Sequence, residues 1–135
     1  MNKNLFHSKS LGMLKLWGRV LARLKEDKEL KLVWSLIPEE DFIRTGAGFN
    51  DLPQIIEELI SSYAQAKFIL LLWQSDHASI GGLLKTTHQY NALDLTNSFS
   101  SQGTTDLAQF TINTKNLIEA EQQVISQLNE RLSEK

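Results

Sequence analysis

Two short polar stretches hold the residues with the clearest chemical capacity. Lys85-Thr86-Thr87 places one ammonium before two hydroxyls, and Ser100-Ser101-Gln102-Gly103-Thr104 is small and polar around a glycine. The first set could hold a phosphate through charge and hydroxyl donation; its bland alternative is a solvated strand end. In the second, Ser100, Ser101, Gly103 and Thr104 could form a nest of backbone N–H groups for an anion, against the default of a plain polar loop. Glu39-Glu40-Asp41 follow Pro38, where three carboxylates could suggest a metal but fit better as acidic residues at a helix N-terminus. His7, His77 and His88 stand apart, without metal-ligand spacing, and read as surface residues. A self-contained hydrolase needs clustered metal ligands or a nucleophile beside a base. The sequence presents neither, so no catalytic and no metal residue is assigned.

The elements that must position these residues come from a chain of 135 residues with 41% hydrophobic and 22% charged content, the size and composition of one soluble globular domain plus a helical attachment. A net charge of -2 gives no global attraction for polyanions, so any nucleic-acid contact must come from a local patch. The absence of cysteine removes disulfides and thiolate zinc sites and fits a reducing cytoplasm. Neither the first fifteen residues nor the apolar run Phe68 to Trp73 has the length of a signal peptide core or a membrane span, so no membrane association is expected.

Leu14, Trp17, Leu21 and Leu24 recur at steps of three and four, which predicts an apolar helical stripe over Ser10 to Lys25, capped by Ser8 or Ser10. Lys15, Arg19, Arg23 and Lys25 then form a solvated opposite face. Leu30 to Ile37 reads as a strand closed by Pro38, followed by a short helix through Phe42 and Ile43 and a helix from Asn50 or Asp51 that carries Ile55, Ile56, Leu59 and Ile60. Phe68 to Trp73 is expected at the centre of the sheet, buried on both faces. Ser75 and Asp76 supply turn chemistry, and Ile80 to Lys85 returns antiparallel, with Gly81 and Gly82 allowing a bulge or close approach. A short helix over Asp94 to Phe99, a polar loop over Ser100 to Thr105, a closing strand Leu107 to Ile112 and a terminal helix striped by Leu117, Val124, Leu128 and Leu132 complete the pattern. Trp17, Trp34 and Trp73 fall in apolar settings and are read as core. The class is α/β (α+β): a single mixed sheet of four or five strands flanked by helices.

The order of these features resembles the DHH-associated C-terminal domain of the DHH phosphoesterases, in the oligoribonuclease and nucleotide phosphatase branch. The resemblance runs through Asp51-Leu52-Pro53, Ala66 to Trp73, Leu83-Leu84-Lys85-Thr86, Asp94-Leu95-Thr96, Phe99 to Thr104 and Gln109-Phe110-Thr111-Ile112, with Leu14 to Leu21 similar to the family's connecting helix. It implies three segments: a connecting helix over 1–28, a substrate-binding domain over 29–113 and a C-terminal amphipathic helix over 114–135. It also implies that Lys85, Thr86, Thr87, Ser100, Ser101, Gly103 and Thr104 grip a nucleotide or short single-stranded nucleic acid. Catalysis would belong to a separate domain that holds Mn or Mg, so no cofactor is expected in this chain, and a DHH catalytic domain or another protein could dock on the terminal helices. Departures from the family pattern fall in this grip. The glycine run is Ser100-Ser101-Gln102-Gly103, the histidine position is Thr104, and the hairpin arginine is Lys85, which cannot make a two-pronged phosphate contact. The alternative these losses imply is a non-catalytic interaction or regulatory module.

Overall fold

Six consecutive apolar residues need cover on both sides, and the chain builds its sheet around them. A computed structural model describes residues 11–74, 79–87 and 89–133. In chain order these form α1 (Leu11–Ala22), β1 (Lys25–Asp27), β2 (Leu32–Ile37), α2 (Glu39–Thr45), α3 (Leu52–Ser62), β3 (Phe68–Gln74), β4 (Ile80–Thr86), α4 (Ala92–Leu95), β5 (Ser100–Gly103), β6 (Leu107–Ile112) and α5 (Leu117–Ser133). The sheet order is β1-β2-β3-β4-β6-β5, with β2 and β3 parallel and all other pairs antiparallel. Phe68 to Trp73 is buried throughout and occupies the interior strand β3.

The fold is mixed α/β with one sheet, and its six strands exceed the expected four or five because both edges gain a short polar strand. Lys25–Asp27, expected at the end of the first helix, pairs with β2 as β1. Ser100–Gly103, expected as loop, pairs with β6 as β5. Only one flank of an edge strand is hydrogen-bonded, so such strands stay short and polar, which hides them from a search for apolar alternation.

Alternate residues of the sheet feed two cores. Phe68, Leu70, Leu72, Leu84, Phe110 and Ile112 face α4 and α5, where Ala120, Val124 and Leu128 are buried. Ile69, Leu71, Trp73 and Leu83 face α1 and α3, which contribute Met13, Leu16, Val20, Ile55, Ile56 and Leu59. Helix α5 is stitched to the opposite edge by Glu121, whose Oε2 accepts from Trp34 Nε1 at 2.6 Å and from Lys25 Nζ at 2.7 Å. Trp73 is buried, while Trp17 and Trp34 are half-buried against the cores.

The buried stripe of α1 is Met13, Leu16 and Val20, whereas Leu14, Trp17 and Leu24 are half-buried and Leu21 is exposed. The helix is therefore rotated from the expected face, for two reasons. At Gly12 a Cβ would meet the Thr45 carbonyl oxygen at 2.7 Å, so glycine lets α1 approach the end of α2. Asp41 on α2 is fully buried, and Arg19 and Arg23 turn onto it while staying partly exposed: Arg19 Nη1 donates to Oδ1 at 3.1 Å, and Arg23 donates to both carboxylate oxygens. The basic face read as solvated is in part an ion-pair seam, and Asp41 belongs to that seam in addition to the acidic start of α2.

The short helix before β5 is Ala92–Leu95 rather than Asp94 to Phe99. Asn91 starts it, because its side-chain oxygen accepts from the Leu93 and Asp94 N–H groups. Ser8, Ser10, Ser75, Asp76, His7, His77 and His88 lie outside the described residues. Among the described residues, no helix is long and apolar enough to cross a membrane.

Candidate functional site

Strands β4 and β6 bring the two polar stretches together. Their register sets Lys85 opposite Leu107, which places Asp106 beside the lysine: Lys85 Nζ lies 3.1 Å from Asp106 Oδ2, and Thr104 Oγ1 donates to Asp106 Oδ1 at 2.7 Å. One carboxylate thus joins the two sets of expected ligands. Sequence reasoning missed Asp106, which is 21 positions from Lys85 and becomes its neighbour only through strand register. The Thr104 hydroxyl and the Lys85 ammonium, in that order, hold the Asp106 carboxyl below the usual carboxylate range.

The individual roles differ from the expected grip. Thr86 is buried and its hydroxyl donates to the carbonyls of Tyr90 at 3.0 Å and Thr105 at 3.2 Å, so it clamps the α4 loop and is not presented to a ligand. Among the described residues, the buried Thr87 Oγ1 has no hydrogen-bond partner, and Thr87 borders a cleft of about 230 Å³ together with Lys67, Lys85, Tyr63 and Ile69. Ser100 and Ser101 lie in the extended strand β5. Successive N–H groups of a strand point to opposite sides, so the expected anion nest is not formed there. Gly103 has φ 131°, and a Cβ on it would collide with the Leu107 carbonyl oxygen. Its glycine is required by the β5–β6 turn, which Thr104 closes through its N–H to Leu107 O at 2.9 Å.

What remains open is the side chains of the outer sheet. The face of the sheet that carries Leu83 and Lys85 is covered by α3 only as far as β4. Beyond it, Gln102, Gln109 and Thr111 are exposed, and Pro53, Leu83, Gln102, Gly103, Thr104 and Gln109 line a cleft of about 410 Å³ beside the start of α3. This surface offers amide and hydroxyl groups for hydrogen bonding and, at its Lys85 end, one ammonium. Among the described residues, no group of three His, Asp or Glu side chains could hold a metal ion.

No family model and no curated protein matches the chain. Solved structures do. One is an exopolyphosphatase-related protein from Bacteroides fragilis, with a TM-score of 0.77 at 18% identity over 94% of this chain and 36% of that one. Another is a pGpG-specific phosphodiesterase from Vibrio cholerae, with a TM-score of 0.61 at 15% identity over 88% of this chain and 39% of that one. The fold is therefore one found in these proteins, and the chain spans little more than a third of their length.

Proposed function

We propose that this chain is the substrate-binding part of a DHH-like phosphoesterase, which holds a nucleotide phosphate or short single-stranded nucleic acid while a separate domain carries Mn or Mg and performs hydrolysis. The observation that supports this most is the likeness to an exopolyphosphatase-related protein and a pGpG-specific phosphodiesterase across 94% and 88% of this chain. It joins a polar open sheet face that ends on Lys85. In this reading the ligand's bases or sugars lie on Gln102 and Gln109, and a phosphate reaches Lys85 in the cleft that Thr87 borders. A cytoplasmic setting follows from the same reading, as does docking of the catalytic domain against the terminal helices.

The test is an NMR titration of the labelled chain with a dinucleotide and with a mononucleotide 3′,5′-bisphosphate. Shifts are expected at Lys85, Thr87, Gln102, Gly103 and Gln109, without metal-dependent phosphate release by this chain. Silence at those positions at millimolar ligand would favour an interaction module instead. One observation already favours that second reading: Lys85 and Thr104 are both engaged by Asp106.

Asp106 supplies a sharper test. Its depressed pKa means that the carboxylate is charged throughout the neutral and mildly acidic range. Its contribution to the turn is present above the usual carboxylate pKa and is lost as pH falls through the lower, folded value. At neutral pH an incoming phosphate must therefore compete with it for Lys85 and suffers its repulsion. Asp106→Asn keeps an oxygen for the Thr104 hydroxyl and removes the charge. It is expected to tighten dinucleotide binding about threefold to tenfold, by isothermal calorimetry, as the loss of one like charge allows. Unchanged or weaker binding would show that Lys85 is not the phosphate contact.

A further inference from the structure

A larger cleft of about 550 Å³ opens at the same end of the sheet, lined by Lys28, Lys31, Glu26, Ser62, Tyr63 and Gln65 among others. It shares Tyr63, Ala64 and Ala66 with the smaller cleft that carries Lys67, Lys85 and Thr87. The two form one track around the turn between α3 and β3. Backbone bonds fix its floor: Lys67 N donates to Lys31 O at 2.8 Å, and Thr87 N donates to Lys67 O at 3.1 Å. Residues 31, 67 and 87 thus stand side by side at the ends of β2, β3 and β4, spanning roughly 10 Å at the usual strand spacing.

Lys31 is the one described non-glycine residue with positive φ, at 58°. It closes the four-residue turn 28–31 between β1 and β2, whose start is fixed by Asp27 Oδ1 accepting from Glu29 N and Leu30 N. Glycine takes that conformation without the steric penalty a side chain incurs. A lysine held there is backbone strain of the kind found at binding sites. Among the described residues, neither Lys28 nor Lys31 has an ion-pair partner. Among the described residues, Glu26 is the single carboxylate lining the track and Asp106 engages Lys85 from its side, against Lys28, Lys31, Lys67 and Lys85, so the track keeps a positive balance.

We propose that this track binds a second phosphate of the ligand, so that the chain recognises an extended run of phosphates passing from Lys85 and Thr87, by Tyr63, to Lys31 and Lys28. The Lys85 end rests on the phosphate-binding reading above; the Lys31 end is new. The shared ligand chemistry is a linear chain of phosphate groups, whether phosphodiester or polyphosphate. A base of a nucleic acid would add stacking on Tyr63.

The test compares a single-stranded tetranucleotide, a dinucleotide and inorganic tripolyphosphate on the full chain, across a salt series. The tetranucleotide is expected to bind about tenfold more tightly than the dinucleotide, the worth of one added charge-assisted contact. Lys31→Gly should abolish that advantage, leave dinucleotide binding intact and flatten the slope of log K against log salt by about 0.7. It should do so with a Tm equal to or above that of the parent, because the strained position is relieved, so misfolding cannot mimic the result. Lys115→Ala, the same charge change on a distant loop, should leave the advantage in place. Dependence of tripolyphosphate on Lys31 would assign recognition to phosphates alone, and its independence would assign part of it to the bases. Equal tetranucleotide binding by Lys31→Gly and the parent overturns the track while leaving the Lys85 site standing, as does an equal loss with Lys115→Ala. Failure of the parent to bind any of the three ligands overturns both.

Discussion

Replacing Arg19 and Arg23 together by alanine is expected to lower the free energy of unfolding by about 3–5 kcal/mol, read from urea denaturation, because it leaves the Asp41 carboxylate buried without a counter-charge. A protein of this size has roughly 5–15 kcal/mol in total, so the double variant should lose a large fraction of its stability. Asp41→Ala should cost less, about 2–3 kcal/mol. The arginines it abandons are each 39% exposed and can turn to water, so what is lost is the charge-assisted hydrogen bonds rather than the solvation of a stranded ion. The order of the two losses is the discriminating result. If Asp41→Ala proved the more damaging, the carboxylate would not depend on Arg19 and Arg23 for its solvation in the folded protein. Substituting apolar residues at all three positions should recover much of the loss, since a buried ion triad can often be replaced by well-packed side chains at little cost.

That seam marks where the sequence was legible and where it was not. The run Phe68 to Trp73 announces a central strand because no exposed element tolerates six apolar residues in succession, and the hairpin to Ile80 follows from it. Helices α3 and α5 are equally plain, since Ile55, Ile56, Leu59 and Val124, Leu128 repeat with the period of a helix. By contrast, Arg19 and Arg23 carry no mark that separates a solvated guanidinium from one directed at Asp41, 22 and 18 positions away respectively. Strand β5 was invisible because Ser-Ser-Gln-Gly has neither β propensity nor alternation, and it becomes a strand only because β6 offers a free edge. The candidate site shows the same division. Residue types around Lys85 and Gly103 singled out two polar stretches, but what each residue does in the fold came from geometry: Gly103 is held by Leu107, Thr86 by Tyr90 and Thr105, and Lys85 by Asp106. Residue identity marked the candidates, and register set their partners.

One aromatic ring fits the register closely. Phe110 on β6 is paired with Gly82 on β4, is only 1% exposed and stacks on Phe99 with centroids 5.5 Å apart. Its ring occupies the space that a Cβ at position 82 would take, just as Trp73 covers Gly81, where an added Cβ would lie 2.5 Å from the indole. The glycines therefore serve close approach across a continuous ladder rather than a bulge. Phe110→Ala is expected to cost about 3–5 kcal/mol as a core aromatic deletion, and Gly82→Ala about 1–3 kcal/mol through overpacking. The two effects should not add. With the ring gone, a methyl group at position 82 meets no clash and fills part of the cavity, so the double variant should be more stable than the sum of the single losses predicts by at least about 1 kcal/mol. Thermal and urea unfolding of the four proteins measure this coupling. Strict additivity would mean that Gly82 is required for its backbone alone and that Phe110 does not set the pairing. If the coupling is present, the same contact that shields Gly82 also fixes Lys85 opposite Leu107, three rungs along the ladder, and so determines which carboxylate the candidate phosphate ligand must displace.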